Sequence, residues 1–440
     1  MSDKNSPSNP IAVYGSLLYF TANPMTHGEK ACHHHSKGML LIENGRITYV
    51  GSRSMGPKPP LGSTIFDYGE KLILPGFVDT HLHPPQHGVI ASNSTELLHW
   101  LDTYTFPEEA RFSDPAHCEK AAKAFFDELL THGTTTLLAM ATVHSSSAEA
   151  LFKEAHRRNI RLITGKTLMD RNAPDYLTDT PQSAYDESLS LIRKWHGKGR
   201  LAYGVTPRFA VSSTREQLEA CGALLQKSPD LYLHTHLSEN HQEIKTVKEL
   251  FPEANDYLDV YDRYGLVKER SIFAHAIHLS EPEFARLKES RAAISFCPSS
   301  NLFLGSGLFR LKKAREYDIP VGLGSDIGGG TSFSPFHTMA EGFKVCQLLK
   351  EPISAMGTFY LATLGGAISL GLEKEVGTFA PGLEGDFVVI DPKTTPLSAM
   401  RTDRCKSIEE LLFVLMILGD ERFVSATHVM GEQVMTKRPF

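Results

Sequence analysis

The sequence predicts an α/β chain, a (β/α)8 TIM barrel carrying a small β-domain formed from both chain termini. Three observations carry that prediction. Eight short apolar runs alternate with helical segments between about residues 72 and 375, both ends of the chain read as β, and polar residues recur where the apolar runs end. Eight strands, each followed by a helix, close naturally into a barrel, and barrels keep their reactive residues at the C-terminal strand ends. An open doubly wound sheet is the alternative. It would usually show a glycine-rich phosphate loop after its first strand, and HLHPPQHG is not one.

The N-terminal part, residues 1–71, begins with the β-rich run AVYGSLLYF. MLLIENGRITYVG follows, two strand-like halves around Asn44-Gly45, a pair suited to the positive φ angles of a tight hairpin. CHHHSKG (32–38) resembles a metal tract, but no acidic or cysteine partner is counted near it, and the better reading is a polar surface loop before a strand. The C-terminal part, residues 379–440, repeats the character: DFVVIDP reads as a short buried strand and THVMGEQVMTK as a hairpin around Gly431-Glu432.

The barrel is expected over residues 72–378. Its strand candidates are LILPGFVDTHLH, TTTLLAMATV, IRLITGKTLM, LAYGVTPRF, LYLHTHLSE, SIFAHAIHL, AAISFCP and IPVGLGSD. Helices are expected at 116–130, 148–158, 183–196, 214–227, 241–265 (broken), 281–289, 308–317 and 335–349. The helix at 214–227 opens on Ser213-Thr-Arg-Glu216, a capping-box pattern, and repeats Leu218, Cys221, Leu224 and Leu225 at helical spacing.

Composition narrows the class. The 440 residues carry a formal net charge of −6 and no long basic stretch, so a nucleic-acid partner is set aside. Six scattered cysteines without a CxxC pair fit reduced thiols in a cytosol. The start MSDKNSPSNP lacks the apolar core of a signal peptide. No apolar run approaches the roughly 20 residues needed to span a bilayer. A cytoplasmic protein without a membrane partner is expected.

The polar strand ends suggest chemistry. They are His81-Leu82-His83, Arg208-Phe209, the run His234-Thr235-His236-Leu237-Ser238-Glu239, His275, and Ser325-Asp326. A single strand histidine is more often a hydrogen-bonded core residue than a ligand, yet five of eight strands ending this way argue for a site. Residues i and i+2 of a strand face one side, so His81 and His83 can grip one cation. Imidazole suits zinc or ferrous iron, and a carboxylate can add a further bond. His236, nearer the mouth than His234, is the expected ligand from its strand, with His234 behind it as a packing residue. Asp326, after the small-residue run VGLGS, is the natural carboxylate ligand. His87, past two prolines, is expected at the loop surface or pocket rim, and His278 has no assigned role.

PGFVDTHLH, HTHLSEN, AHA and GLGSD, in that order, resemble the amidohydrolase superfamily of metal-dependent barrel hydrolases. Within it, HPPQ, TYTFPEEARF, THGTTT, DRNAPDYL, TPRF, CPSSNLFLGSGLF, GSDIGGG and ATLGGA are similar to the guanine deaminase family, from about residue 40 to the C-terminal hairpin. One departure is the loop HGVIASNSTELL after Gln86, at the pocket rim.

The resemblance implies one zinc per chain held by His81, His83, His236 and Asp326, with ferrous iron as the other candidate. It implies hydrolytic deamination of guanine at C2 to xanthine and ammonia. Asp326 takes a proton from water and passes it to the leaving amine. Glu239 first acts as general acid, protonating N3 of the purine. His275 orients the attacking oxygen. Gln86, Arg208 and Phe209 contact the purine: an amide suits the O6/N1–H edge, a guanidinium can donate to O6 or N7, and the phenyl ring can stack. Tyr104, Phe106 and Pro107 are expected to line or cover the pocket. Lys166, in LITGKTLMD, lies where some relatives carry a carboxylated lysine bridging two metals, but the reading favours one. A homodimer is implied as well. The competing readings are a same-superfamily hydrolase of an oxidised guanine, another aminopurine or an aminotriazine, and a metal-free barrel that has lost its chemistry.

Overall fold

The computed structural model describes residues 9–93 and 97–436. The polar start of the chain up to residue 8 lies outside them, as do residues 94–96 of the loop after Gln86. In chain order the first strands are β1 (Ile11–Phe20), β2 (Cys32–Glu43), β3 (Arg46–Ser52) and β4 (Thr64–Pro75). Asn44 and Gly45 turn β2 into β3 with φ of 51° and 78°, the positive values such a hairpin needs. The histidine tract is not a loop. Cys32, His33, His34 and His35 pair with Phe20, Tyr19, Leu18 and Leu17 as the first half of β2. The long ladder to β1 satisfies their backbone, and His33 stacks on Tyr19 at 5.2 Å.

The barrel strands follow: β5 (Phe77–Leu82), β6 (Thr134–Met140), β7 (Arg161–Gly165), β8 (Leu201–Pro207), β9 (Tyr232–Leu237), β10 (Ser271–His275), β11 (Ala293–Phe296) and β12 (Val321–Leu323). They pair in parallel in the order β12-β11-β10-β9-β8-β7-β6-β5. Hydrogen bonds from Asp326 N to His81 O, 2.9 Å, and from His83 N to Ile327 O, 2.6 Å, link the last strand end back to the first. Nearly every barrel-strand residue is buried, as expected for strands covered by helices outside and packed inside. Val78, Leu138, Ile163, Tyr232 and Ile272 fill the lower interior, where Ala367 and Leu370 plug the bottom.

The chain then returns to the first sheet with β13 (Phe387–Ile390), β14 (Val424–Val429) and β15 (Glu432–Thr436). This seven-stranded sheet runs β15-β14-β13-β4-β1-β2-β3, built from both ends of the chain. Its last hairpin turns at Met430-Gly431, one residue before the expected pair, because Val429 registers with Glu432.

One expected barrel strand is two. LILPGFVDTHLH crosses from β4, in the small sheet, to β5, in the barrel, with Gly76 between them. A Cβ at Gly76 would lie 2.1 Å from Thr135 Oγ1, so the crossing packs directly on β6. Buried Arg200 joins the two layers through Glu384 at 2.7 Å and Asp386 at 2.5 Å. The helix cap of the 214–227 segment also moves. The helix is Arg215–Leu225, capped by Thr214, whose hydroxyl accepts from Gln217 N; Gln217 and not Glu216 therefore sits three residues into the helix, and no capping box forms.

Candidate active site

The strand ends bring their polar residues to one point. Nε2 of His83 and Nε2 of His236 lie 3.2 Å apart. Asp326 Oδ1 stands 3.1 Å from His81 Nε2 and 3.4 Å from His83 Nε2. A break in β5–β6 register between Asp79 and Leu82 marks where the chain delivers His81. The backbone bends sharply at the other strand ends. Ser238, His275 and Asp326 are non-glycine residues with φ of 48°, 68° and 50°, a conformation that concentrates at functional sites.

A backbone acceptor fixes the tautomer of one of the three imidazoles. His236 Nδ1 donates to the Arg208 carbonyl at 2.6 Å, which leaves a lone pair on Nε2. Nδ1 of His81 meets Nε2 of His234 at 2.6 Å, and His81 Nε2, though buried, has no hydrogen-bond partner. Burial, reinforced by neighbouring imidazoles, holds His83 and His236 well below the ordinary histidine range, and burial lowers His81 as well. Burial opposes ionisation of Asp326, but the His81 and His275 rings outweigh it and hold the carboxyl below its usual value. Three neutral imidazoles whose Nε2 atoms face one point, with one carboxylate beside them, form a donor set that fits a divalent cation. A second group among the described residues, His81, His275 and Cys297, is poorer, since burial pushes the Cys297 thiol far up and keeps it protonated.

His275 donates from Nδ1 to Asn301 Oδ1 at 2.8 Å and turns Nε2 toward Glu239 and Asp326, 3.5 and 3.8 Å away. Burial pushes the Glu239 carboxyl up to about 7. Ser306 Oγ donates to Glu239 Oε1 at 3.0 Å, so one carboxyl oxygen is occupied and the other faces His275.

Above these groups lies a small, partly open cavity at the barrel mouth. Gln86, Arg208, Phe209 and Glu239 line it with His83, His236, His275 and Asp326. The segment after Gln86 contributes Leu97, Trp100 and Leu101 to the wall; Tyr104, Phe106 and Pro107 are not in it. Phe106 turns inward instead, and its ring centre lies 5.8 Å from the Arg208 guanidinium carbon. Gly328 lets its backbone approach Gln86, where a Cβ would come within 2.4 Å of the Gln86 carbonyl oxygen.

Other candidates fall outside. His87 Nδ1 donates to Pro84 O at 2.8 Å, and His278 Nε2 donates to Ser306 O at the same distance. Lys166 is buried with its ammonium between Asp179, 2.8 Å, and Glu187, 2.9 Å. Three partners of the site escaped the sequence reading: Asn301 behind His275, Ser306 on Glu239, and Glu109 between Gln86 and Arg208. Ser306 and Asn301 lie in CPSSNLFLGSGLF, where their family resemblance was visible but their contacts were not.

A family model described as the amidohydrolase family matches residues 72–433. The guanine deaminase of Escherichia coli (strain K12) is 49% identical over 399 residues, covering 90% of this chain and 91% of the relative. A probable guanine deaminase of Deinococcus radiodurans is 38% identical and covers 98% of this chain and 97% of its own length. The solved E. coli guanine deaminase superposes with a TM-score of 0.94 at 46% identity, covering 98% of this chain and all of that one, 100%. The structure described as guanine deaminase from C. acetobutylicum with bound guanine in the active site gives a TM-score of 0.88 at 30% identity, over 97% of this chain and 100% of that one.

Proposed function

The chain belongs to the amidohydrolase family, and we propose that its barrel mouth hydrolyses guanine to xanthine and ammonia with the residues assigned below. The observation that carries this reading is one cavity lined by three of the four cation donors, His83, His236 and Asp326, together with Gln86, Arg208 and Phe209, side chains suited to a purine.

His81, His83, His236 and Asp326 hold the metal, and zinc is the ion we propose, one per chain. Bound there, zinc acts as a Lewis acid that lowers the pKa of water from 15.7 toward about 7. Asp326 accepts a proton from the attacking water as its oxygen bonds to C2. Glu239, protonated in part at neutral pH because burial raises it to about 7, gives a proton to N3. His275, held by Asn301, orients the oxygen between the two carboxyl groups. Asp326 then passes its proton to the 2-amino group while Glu239 removes the proton from the new hydroxyl. The C2–N bond breaks, ammonia leaves, and the carbonyl of xanthine forms. Gln86 and Arg208 grip the O6 edge, and Phe209 supports the ring face.

The Lys166 side chain is engaged by Asp179 and Glu187, two residues outside the cation donor set, which supports a single metal. Exposed Leu348, Leu397, Met400, Phe413 and Ile417 on the helices Pro335–Leu348, Pro396–Thr402 and Ile408–Leu418 support a homodimer. Six free cysteines support a cytoplasmic setting. No helix among the described residues is long and apolar enough to cross a membrane.

An ammonia-release panel with guanine, 8-oxoguanine, adenine and cytosine tests the assignment, with metal analysis beside it. Guanine is expected to turn over fastest with one zinc per chain. Faster turnover of another panel member would refute guanine as the substrate.

A further inference from the structure

Glu109 lies outside the cavity lining but is fully buried, with 0% of its surface exposed. It belongs to the short helix Phe106–Ala110, in the segment between β5 and β6, and it reaches two residues from other parts of the barrel mouth. Arg208 Nη1, beyond the end of β8, donates to its Oε1 at 2.9 Å and its Oε2 at 3.2 Å. Gln86 Nε2, beyond the end of β5, donates to Oε1 at 2.7 Å. On its other side the Gln86 amide oxygen accepts from Gly328 N–H at 3.3 Å.

A carboxylate taken out of water is costly unless a cation and further donors meet it. Here both donors are the residues that reach into the cavity. The pairing keeps the guanidinium at one place and fixes the polarity of an amide that could otherwise turn over. With Glu109 as an acceptor, the Gln86 nitrogen faces Glu109 and its oxygen faces Gly328. The remaining Arg208 donors are left for the substrate.

We propose that Glu109 is a positioning residue that sets Gln86 and Arg208 to favour a purine with an oxo group at C6 over one with an amino group. Held donors meet a carbonyl oxygen well, whereas an amino group there presents N–H to N–H and leaves buried donors unpaired. The inference rests on the guanine reading above.

The test compares guanine with 2,6-diaminopurine, which shares the 2-amino group and differs at C6, in zinc-loaded wild-type enzyme and in Glu109→Gln and Glu109→Asp. In Glu109→Gln, KM for guanine is expected to rise about 10- to 100-fold, with kcat and zinc content changing far less. The ratio of guanine to 2,6-diaminopurine kcat/KM should fall by about 10-fold or more. Glu109→Asp keeps the charge, shortens the reach and should show a smaller shift in the same direction. Adding Glu109→Gln to Arg208→Ala should cost little beyond Arg208→Ala alone, because Glu109 acts through its partners. An unchanged ratio in whichever of the two single variants folds, or full additivity in the double variant, overturns the assignment. A wild-type enzyme that releases no ammonia from guanine refutes the underlying reading instead.

Discussion

His428 in the small sheet and His81 at the barrel mouth are equally shielded from water, each 0% exposed, yet their ring nitrogens are treated differently. His428 Nδ1 donates to Gly431 O at 2.9 Å, and its Nε2 accepts from the Tyr68 hydroxyl at 2.7 Å. Its ring stacks on Phe387 at 4.0 Å. The chain completes that histidine. His81 has one nitrogen against His234 and the other directed at Asp326 and the neighbouring imidazoles without a hydrogen bond. Buried polar groups are ordinarily paired, so a ring left incomplete beside two others points to something supplied from outside. Burial alone does not separate a structural histidine from a ligand. Completion does.

That contrast can be broken by experiment. The largest effect should come from removing metal with a chelator. Turnover is expected to vanish and return with Zn²⁺, and calorimetry should show the thermal midpoint falling with the loss of binding stabilisation. That stabilisation is about 3–4 kcal/mol when metal stands at 100 to 1,000 times its Kd. If protein stripped of metal melts at the same temperature as the loaded form, the open nitrogens at the mouth are not what a metal completes.

Next is Glu239→Gln, which should retain zinc while kcat falls about 10²- to 10⁴-fold, since an amide cannot pass a proton. Steady-state rates paired with metal analysis check it, and near-normal turnover would remove Glu239 from the proton path. Arg208→Ala should raise KM for guanine with zinc intact. It should also destabilise the fold by about 3–5 kcal/mol by leaving the Glu109 carboxylate buried without its cation. Denaturant titration measures the second effect, and lost zinc would place the arginine with the metal instead of the purine.

The smallest effect belongs to the sheet. Burial holds His428 down to about 4, with the Gly431 carbonyl acting the other way, whereas an unfolded histidine titrates near 6.5. Between those values the unfolded chain binds the extra proton, so this residue costs stability as pH falls from about 6.5 to about 4. The loss approaches roughly 3 kcal/mol. Unfolding free energies at pH 7 and pH 4 should show His428→Phe losing that part of the acid sensitivity. An unchanged pH dependence would mean the histidine is not titrating there.

The barrel and the polar residues gathered at its mouth were legible because their signals are local. An apolar run ending in a histidine or carboxylate states both the strand and its mouth, as with His81, His236, His275 and Asp326. The boundary inside LILPGFVDTHLH was not legible, since the end of β4, Leu72–Pro75, and β5 are both buried and follow each other with only Gly76 between them. The histidine tract at 33–35 was misread for the opposite reason: its polar side chains hide a backbone that a long ladder to β1 makes extended. Glu109 stayed hidden because two adjacent glutamates near a helix start look like exposed first-turn acids. Its burial depends on Gln86 and Arg208, 23 and 99 positions away.

Gly76 has a practical meaning for anyone who would trim or recombine this molecule. Phe77 N bonds to Gly133 O at 3.0 Å and Gly76 N to Asp386 O at 3.0 Å, so the crossing is pinned on both sides and holds no slack. Cutting away the small sheet at this junction would free the near end of the very strand that carries His81. A transplantable cassette therefore has to include both chain ends, and a barrel shortened to its eight strands would begin at a loose anchor.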